Sequence, residues 1–247
     1  MLQGVLEESA TPNYPLGYEI TLGDRKYVYG HVDTERQARA AYAVFPKIYY
    51  GETGVPAAQA LAGARTITLT AVADVAVNQF ADGILSKAGG GGGGYGVNYR
   101  VKSNTGCLAG GTYVVTLYDA IITTIPISDT ITMFRSPWAN VVCMRQRVID
   151  GVATDLRKTS WVGIPNRFIQ ANYYCWLQRS GPCMVVPAGG TEGVADDERM
   201  MIFQEDGSVS KPDYATPHEQ QIAGFVLPIT TAGAIPDLLE IWLAIAP

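Results

Sequence analysis

Tyr173-Tyr-Cys-Trp-Leu-Gln-Arg-Ser-Gly-Pro-Cys-Met-Val-Val186 is the stretch on which the fold turns. Two apolar, aromatic-rich runs flank Gly181-Pro182, a dipeptide suited to a tight reversal, so the pattern predicts a β-hairpin. Tyr174, Trp176, Met184 and Val186 alternate with Cys175, Leu177, Cys183 and Val185, leaving Gln178, Arg179 and Ser180 for the turn. Both faces of such a hairpin are apolar, which places it at the centre of a β-core and not on its rim. Nothing in the stretch supplies a nucleophile with its base, a metal cage or a phosphate cradle.

The composition around it fits a β-rich scaffold. With 247 residues, 47% of them hydrophobic, the chain has enough apolar material for one large all-β unit or two smaller ones. Charged residues make up only 17%, against roughly 25% in soluble domains. A surface poor in charge suits contact with other subunits, where charge is depleted and aromatics are enriched; a large core with ordinary polar loops gives the same balance. The net charge of −5, with no basic run longer than Arg145-Gln-Arg147, argues against direct contact with nucleic acid. No apolar segment reaches the ~18 residues that span a bilayer. Met1-Leu-Gln-Gly-Val-Leu-Glu-Glu8 has neither the basic nor the apolar region of an export signal. The expectation is a protein made in the cytoplasm, with no membrane partner.

Candidate chemistry is sparse. Cys107, Cys143, Cys175 and Cys183 contain no Cys-x-x-Cys spacing, and two of them sit inside apolar runs, so buried thiols are expected; a Cys175–Cys183 bridge would require them to face each other across the hairpin. His31 and His218 have no cysteine or histidine at ligand spacing, and neither has a partner for a triad. Asp196-Asp197-Glu198 is the densest set of ionisable groups, but neighbouring side chains on one loop point apart and read as a solvated loop. The glycines at 89–94 lack the Gly-Lys-Ser or Gly-Lys-Thr of a phosphate loop and read as a hairpin tip. No catalytic residue, cofactor-binding residue or metal ligand is therefore assigned, and no cofactor is expected.

In chain order, residues 1–16 carry Pro12 and Pro15 without any period and read as an extended N-terminal arm, its Tyr14 and Leu16 available to a neighbouring subunit. Residues 17–63 hold a hairpin about Gly23-Asp24 and then Glu35–Phe45, a run of helix formers behind Asp33-Thr34 and ahead of Pro46, which predicts one short helix. The second Ala-rich piece, Ala57–Ala62, is too short to stand alone. Residues 64–135 read as a first β unit, with strands at 65–72, 79–87, 95–102, 112–120, 121–126 and 130–134. A second β unit, 136–247, follows Ser136-Pro137-Trp138 and contains the hairpin 173–186, with further strands near 200–203 and 224–229 and a last run, 238–245, that fits helix or strand by pattern and is read as sewn into the sheet. The fold class is thus all-β, built of sandwich or barrel units, with an extended arm and one short helical segment.

The order of these phrases resembles a family of tailed-bacteriophage virion structural proteins of the capsid decoration type. The resemblance is carried by Tyr14-Pro-Leu-Gly17 ahead of Gly23-Asp-Arg-Lys-Tyr-Val-Tyr29, Thr66-Ile-Thr-Leu-Thr70 with Asn78-Gln-Phe-Ala-Asp-Gly83, Tyr99-Arg-Val-Lys-Ser-Asn104, Val115-Thr-Leu-Tyr-Asp119, and Tyr173-Tyr-Cys-Trp-Leu-Gln178 before Gly181-Pro182. It implies a non-enzymatic β-rich protein bound outside an icosahedral head, partnered by the major capsid protein and by copies of itself in a symmetric oligomer such as a trimer. It transfers no catalytic residues. The glycine run 89–94 and the Ala-rich stretch 38–62 depart from the pattern. On this view residues 2–16 are a reaching arm whose deletion leaves a folded chain that no longer loads onto heads. A tail or receptor-binding component would use the same architecture. A carbohydrate-active enzyme would need the carboxylates of 196–198 beside a cleft of Trp161 and Trp176.

Overall fold

The computed structural model describes residues 3–47, 52–89, 97–143, 148–149, 152–153, 160–189, 199–212, 221–227 and 238–245. These residues form β-strands and no helix. In chain order the strands are β1 (Glu8–Ser9), β2 (Glu19–Leu22), β3 (Arg25–His31), β4 (Phe45–Pro46), β5 (Glu52–Pro56), β6 (Thr66–Thr70), β7 (Ile84–Gly89), β8 (Asn98–Asn104), β9 (Thr112–Leu117) and β10 (Thr130–Phe134). They continue as β11 (Val141–Val142), β12 (Val148–Ile149), β13 (Val152–Ala153), β14 (Ile164–Pro165), β15 (Tyr174–Val185), β16 (Met200–Phe203), β17 (Val209–Ser210), β18 (Ile222–Val226) and β19 (Leu239–Ala244). The chain divides into two compact units, residues 1–47 with 138–247 and residues 48–137.

The first unit is organised around β15, and here the hairpin expectation is corrected. Residues 174–185 run as one continuous strand. Its first half pairs with β3, from Tyr174 opposite His31 to Ser180 opposite Lys26, and its second half pairs with β19, from Ser180 opposite Ala244 to Val185 opposite Leu239. Each apolar arm thus finds a partner far away in sequence, and Gly181-Pro182 has no reversal to make. What the dipeptide provides is an irregularity: the register with β3 shifts between Gln178 and Ser180, and Gly181 has φ 86°. A Cβ at Gly181 would lie 2.4 Å from the Asp24 carbonyl oxygen, so the turn between β2 and β3 fits only against a glycine. The sheet order is β17-β16-β18-β19-β15-β3-β2, with β1 and β14 also pairing with β15.

β15 threads three apolar clusters. Trp176 packs with Tyr27 and Tyr29; Cys175 and Leu177, on the opposite face, pack with Val28, Val32 and Val141. Beyond the shift, Cys183 and Val185 join Trp161, Phe203 and Leu243. The expectation that 173–186 is buried on both faces holds at 175–177; past the shift Cys183 and Val185 are buried while Met184, on the other face, is 45% exposed.

The short helix at 35–45 is not formed. The backbone N–H groups of Ala38, Ala41, Ala43 and Val44 donate to the distant carbonyls of Ile169, Pro165, Gly207 and Gly163. Ala41 has φ 64°, which interrupts any helical turn. Helix propensity loses to these long-range contacts, and Ala38, Ala41 and Ala43 are buried; a Cβ at Gly207 would lie 2.5 Å from the Ala43 carbonyl oxygen, so the backbone of this segment packs closely on that glycine.

Residues 3–16, the described part of the arm, are seated on their own sheet. β1 pairs with β15, and Tyr14 lies 5.0 Å from the ring of Trp176 and 5.3 Å from that of Tyr29. Deleting 2–16 would uncover two of the largest buried side chains of the unit, so the arm is part of the fold and not a detachable tether.

The second unit is a closed six-stranded antiparallel barrel in the order β10-β5-β6-β9-β8-β7. β7, β8 and β9 follow one another as neighbours, and β10 returns to lie beside β7, which is the Greek-key connection. Alternation carries the interior: Ile67, Leu69, Leu85, Tyr99, Val101, Val115, Ile131 and Met133 point inward. Residues 79–82 form turns, with Asn78 and Asp82 at positive φ, and β7 begins only at Ile84. Ile121–Ile125 is a loop closed by a bridge from Ile125 to Ala60.

Candidate functional site

Asp196-Asp197-Glu198 and glycines 90–94 of the Gly-rich run lie outside the described residues. Trp161 and Trp176, the walls proposed for a glycan cleft, are buried in separate clusters. His31 is a packed ring: Nδ1 is 3.1 Å from Asn140 Oδ1, Nε2 is 3.2 Å from Asn172 Oδ1, and the ring lies 4.5 Å from that of Tyr174. Burial pulls its pKa below the ordinary imidazole value, with the two asparagine contacts opposing. All four cysteines are thiols, and Cys175 and Cys183 share one strand, so they cannot face each other. Among the described residues no three His, Cys, Asp or Glu side chains gather as a metal site, and no helix is long and apolar enough to cross a membrane.

Two arrangements in the first unit were invisible in the sequence. Gln3 is a junction for the arm: Oε1 accepts from the Tyr29 hydroxyl at 2.7 Å and from Asn13 Nδ2 at 3.0 Å, Nε2 donates to the carbonyls of Glu7 and Tyr174, and the Gln3 carbonyl accepts from Trp176 Nε1 at 3.2 Å. The second is a cleft of about 320 Å³ beside β15, with Arg25, Asn166, Gln178, Cys183 and Glu240 in its wall. Gln178 is buried with its amide fully used, Oε1 accepting from Asn166 Nδ2 at 3.0 Å and Nε2 donating to the carbonyls of Ser180 and Pro182 at 3.1 and 2.8 Å. Its work is to clamp the irregular turn of the strand. Burial pushes the Cys183 thiol up to about 12, so it stays protonated and is no nucleophile at neutral pH.

The barrel presents a different kind of surface. Leu61, Ile122 and Ile127 come from loops tied together by the Ala60–Ile125 bridge, while Val72, Val77 and Leu108 come from loops tied by the Val75–Cys107 bridge. β6 connects the first set of loops to the second, so the two groups sit at opposite ends of the barrel. All six side chains are 62% to 77% exposed. Contiguous apolar patches are where partners dock, whereas single exposed apolar side chains are ordinary. The alternation pattern could not find them, because apolar residues in loops carry no period.

No protein family, curated protein or solved structure matches this chain.

Proposed function

We propose that this chain is a non-enzymatic virion structural protein that decorates the outer surface of a tailed-phage head, bound to the major capsid protein and to copies of itself. The observation that carries this reading is the barrel whose ends expose Leu61, Ile122 and Ile127 on one side and Val72, Val77 and Leu108 on the other. A rigid closed sheet that holds uncharged apolar tips at both ends suits a part that must join identical neighbours many times over. The low charge of the whole chain and the resemblance of its strand phrases to capsid decoration proteins support the same reading.

Quantification of the chain in purified particles tests it. A head decoration is present in hundreds of copies per particle; a handful would move the chain to the tail, and none would remove it from the virion. The tips themselves are tested by Leu61→Asp with Ile122→Asp, which should lower loading onto heads by at least about tenfold while the thermal melt stays unchanged. Undiminished loading would show that this end of the barrel is not the contact.

A further inference from the structure

The barrel encloses an ionisable pair. On β7, Leu85 points into the core and Lys87, two residues on, follows it inward; on the partner side, Asp129 shares the parity of Ile131 and Met133 just ahead of β10. β7 and β10 are neighbours with Lys87 opposite Ile131, and their register shifts between Thr130 and Ile131 through one extra residue on β7, Ala88. Lys87 Nζ lies 2.7 Å from Asp129 Oδ2, with the two side chains 4% and 0% exposed. The approach falls outside hydrogen-bond angles, so both Asp129 oxygens are buried without a hydrogen-bond partner.

The carboxylate of this pair is poorly served as an ion. Each charge has left water for an apolar interior, and the contact between them offers the carboxylate no directed donor in return. An amide in the same place would carry no charge. The amine and the carboxyl group are held in contact where bulk water is excluded, the condition under which bringing two reactants together lowers the barrier to their condensation.

We propose that Lys87 and Asp129 condense into an intramolecular isopeptide bond that locks β7 to the start of β10. One proton passes from Nζ to the carboxylate, and the freed amine lone pair attacks Cγ to form the C–N bond. A second Nζ proton moves onto the hydroxyl carried by Cγ, the C–O bond breaks with its electron pair, and one water leaves. Nothing is oxidised or reduced. The proposal stands independently of the capsid reading, since it concerns only the barrel interior.

Intact mass of the folded full-length chain, recorded after denaturation, tests it. The expected mass is below that of the sequence by about 18 Da, one water, and tryptic digestion should leave Lys87 uncut within a branched peptide that also contains Asp129. Lys87→Arg and Asp129→Ala should each return to the full mass of their own sequence. A wild-type chain at full sequence mass overturns the proposal, and so does a deficit that survives in Asp129→Ala. If a variant fails to fold, the wild-type branched peptide decides alone: its presence supports the bond and its absence refutes it.

Discussion

Tyr29 and Tyr113 sit in different units, yet burial does the same to both, pushing each phenol from 10.0 up to about 12. Because the folded chain keeps protons that the unfolded chain gives up, stability from these groups is complete below about pH 10 and is lost as the pH rises toward 12. The loss is on the order of 2–3 kcal/mol for each residue. Denaturant unfolding at pH 9 and pH 11.5 should show it, with Tyr113→Phe flattening part of the slope; an unchanged slope would mean that Tyr113 titrates as if exposed. At this scale the sequence was only partly legible. The His31 ring was readable as packed, but Gln3 carries no signal at all, since a glutamine near a terminus reads as solvated. Lys87 did carry one: in Ile84-Leu85-Ser86-Lys87 it has the parity of the inward Leu85, and a lysine at an inward position is a departure from alternation that could have been noticed.

Among the elements, β15 shows where local pattern reading stops. The alternation of 173–186 was legible and so was the burial of 175–177 on two faces, though Met184 is exposed; Gly181-Pro182 looks the same in a hairpin turn and in a bulge that hands a strand from one partner to another. The distinction lies in β3 and β19, some 150 and 60 residues away. Likewise Glu35–Phe45 reads as a helix until the carbonyls of Gly163, Pro165, Ile169 and Gly207 claim its amides. The hairpin of β2 and β3 was legible because its partners are adjacent and its turn is short. The strained junction in β15 gives a direct test. Gly181→Ala places a side chain at φ 86° against the Asp24 carbonyl oxygen, and should cost at least about 2 kcal/mol by chemical denaturation, whereas Gly63→Ala, at φ 88° with open space around it, should cost less. Equal losses at the two sites would mean that backbone strain alone, and not the crossing turn, fixes the glycine.

For the molecule as a whole, the all-β class followed from composition and alternation, because period-two burial is a local property that each strand carries by itself. Which strand lies beside which did not follow, because antiparallel pairing between residues such as 28 and 177 leaves no trace in either segment. The barrel closes all six of its strands on one another and has its own core. Residues 48–137 alone should therefore give a cooperative melt and dispersed amide resonances; a spectrum of an unfolded chain would show that closure depends on the rest of the protein.

The two strands that flank the barrel in the chain, β4 and β11, pair with each other, Val141 opposite Pro46 and Val142 opposite Phe45. Pro46 and Val141, close to where the chain departs and comes back, are thus about 5 Å apart, one inter-strand spacing. The junction works as a socket. Any foreign module whose own ends lie side by side can be plugged in between 47 and 138 without stretching the host sheet, which makes this joint a natural place to swap one head group for another, by recombination or by hand.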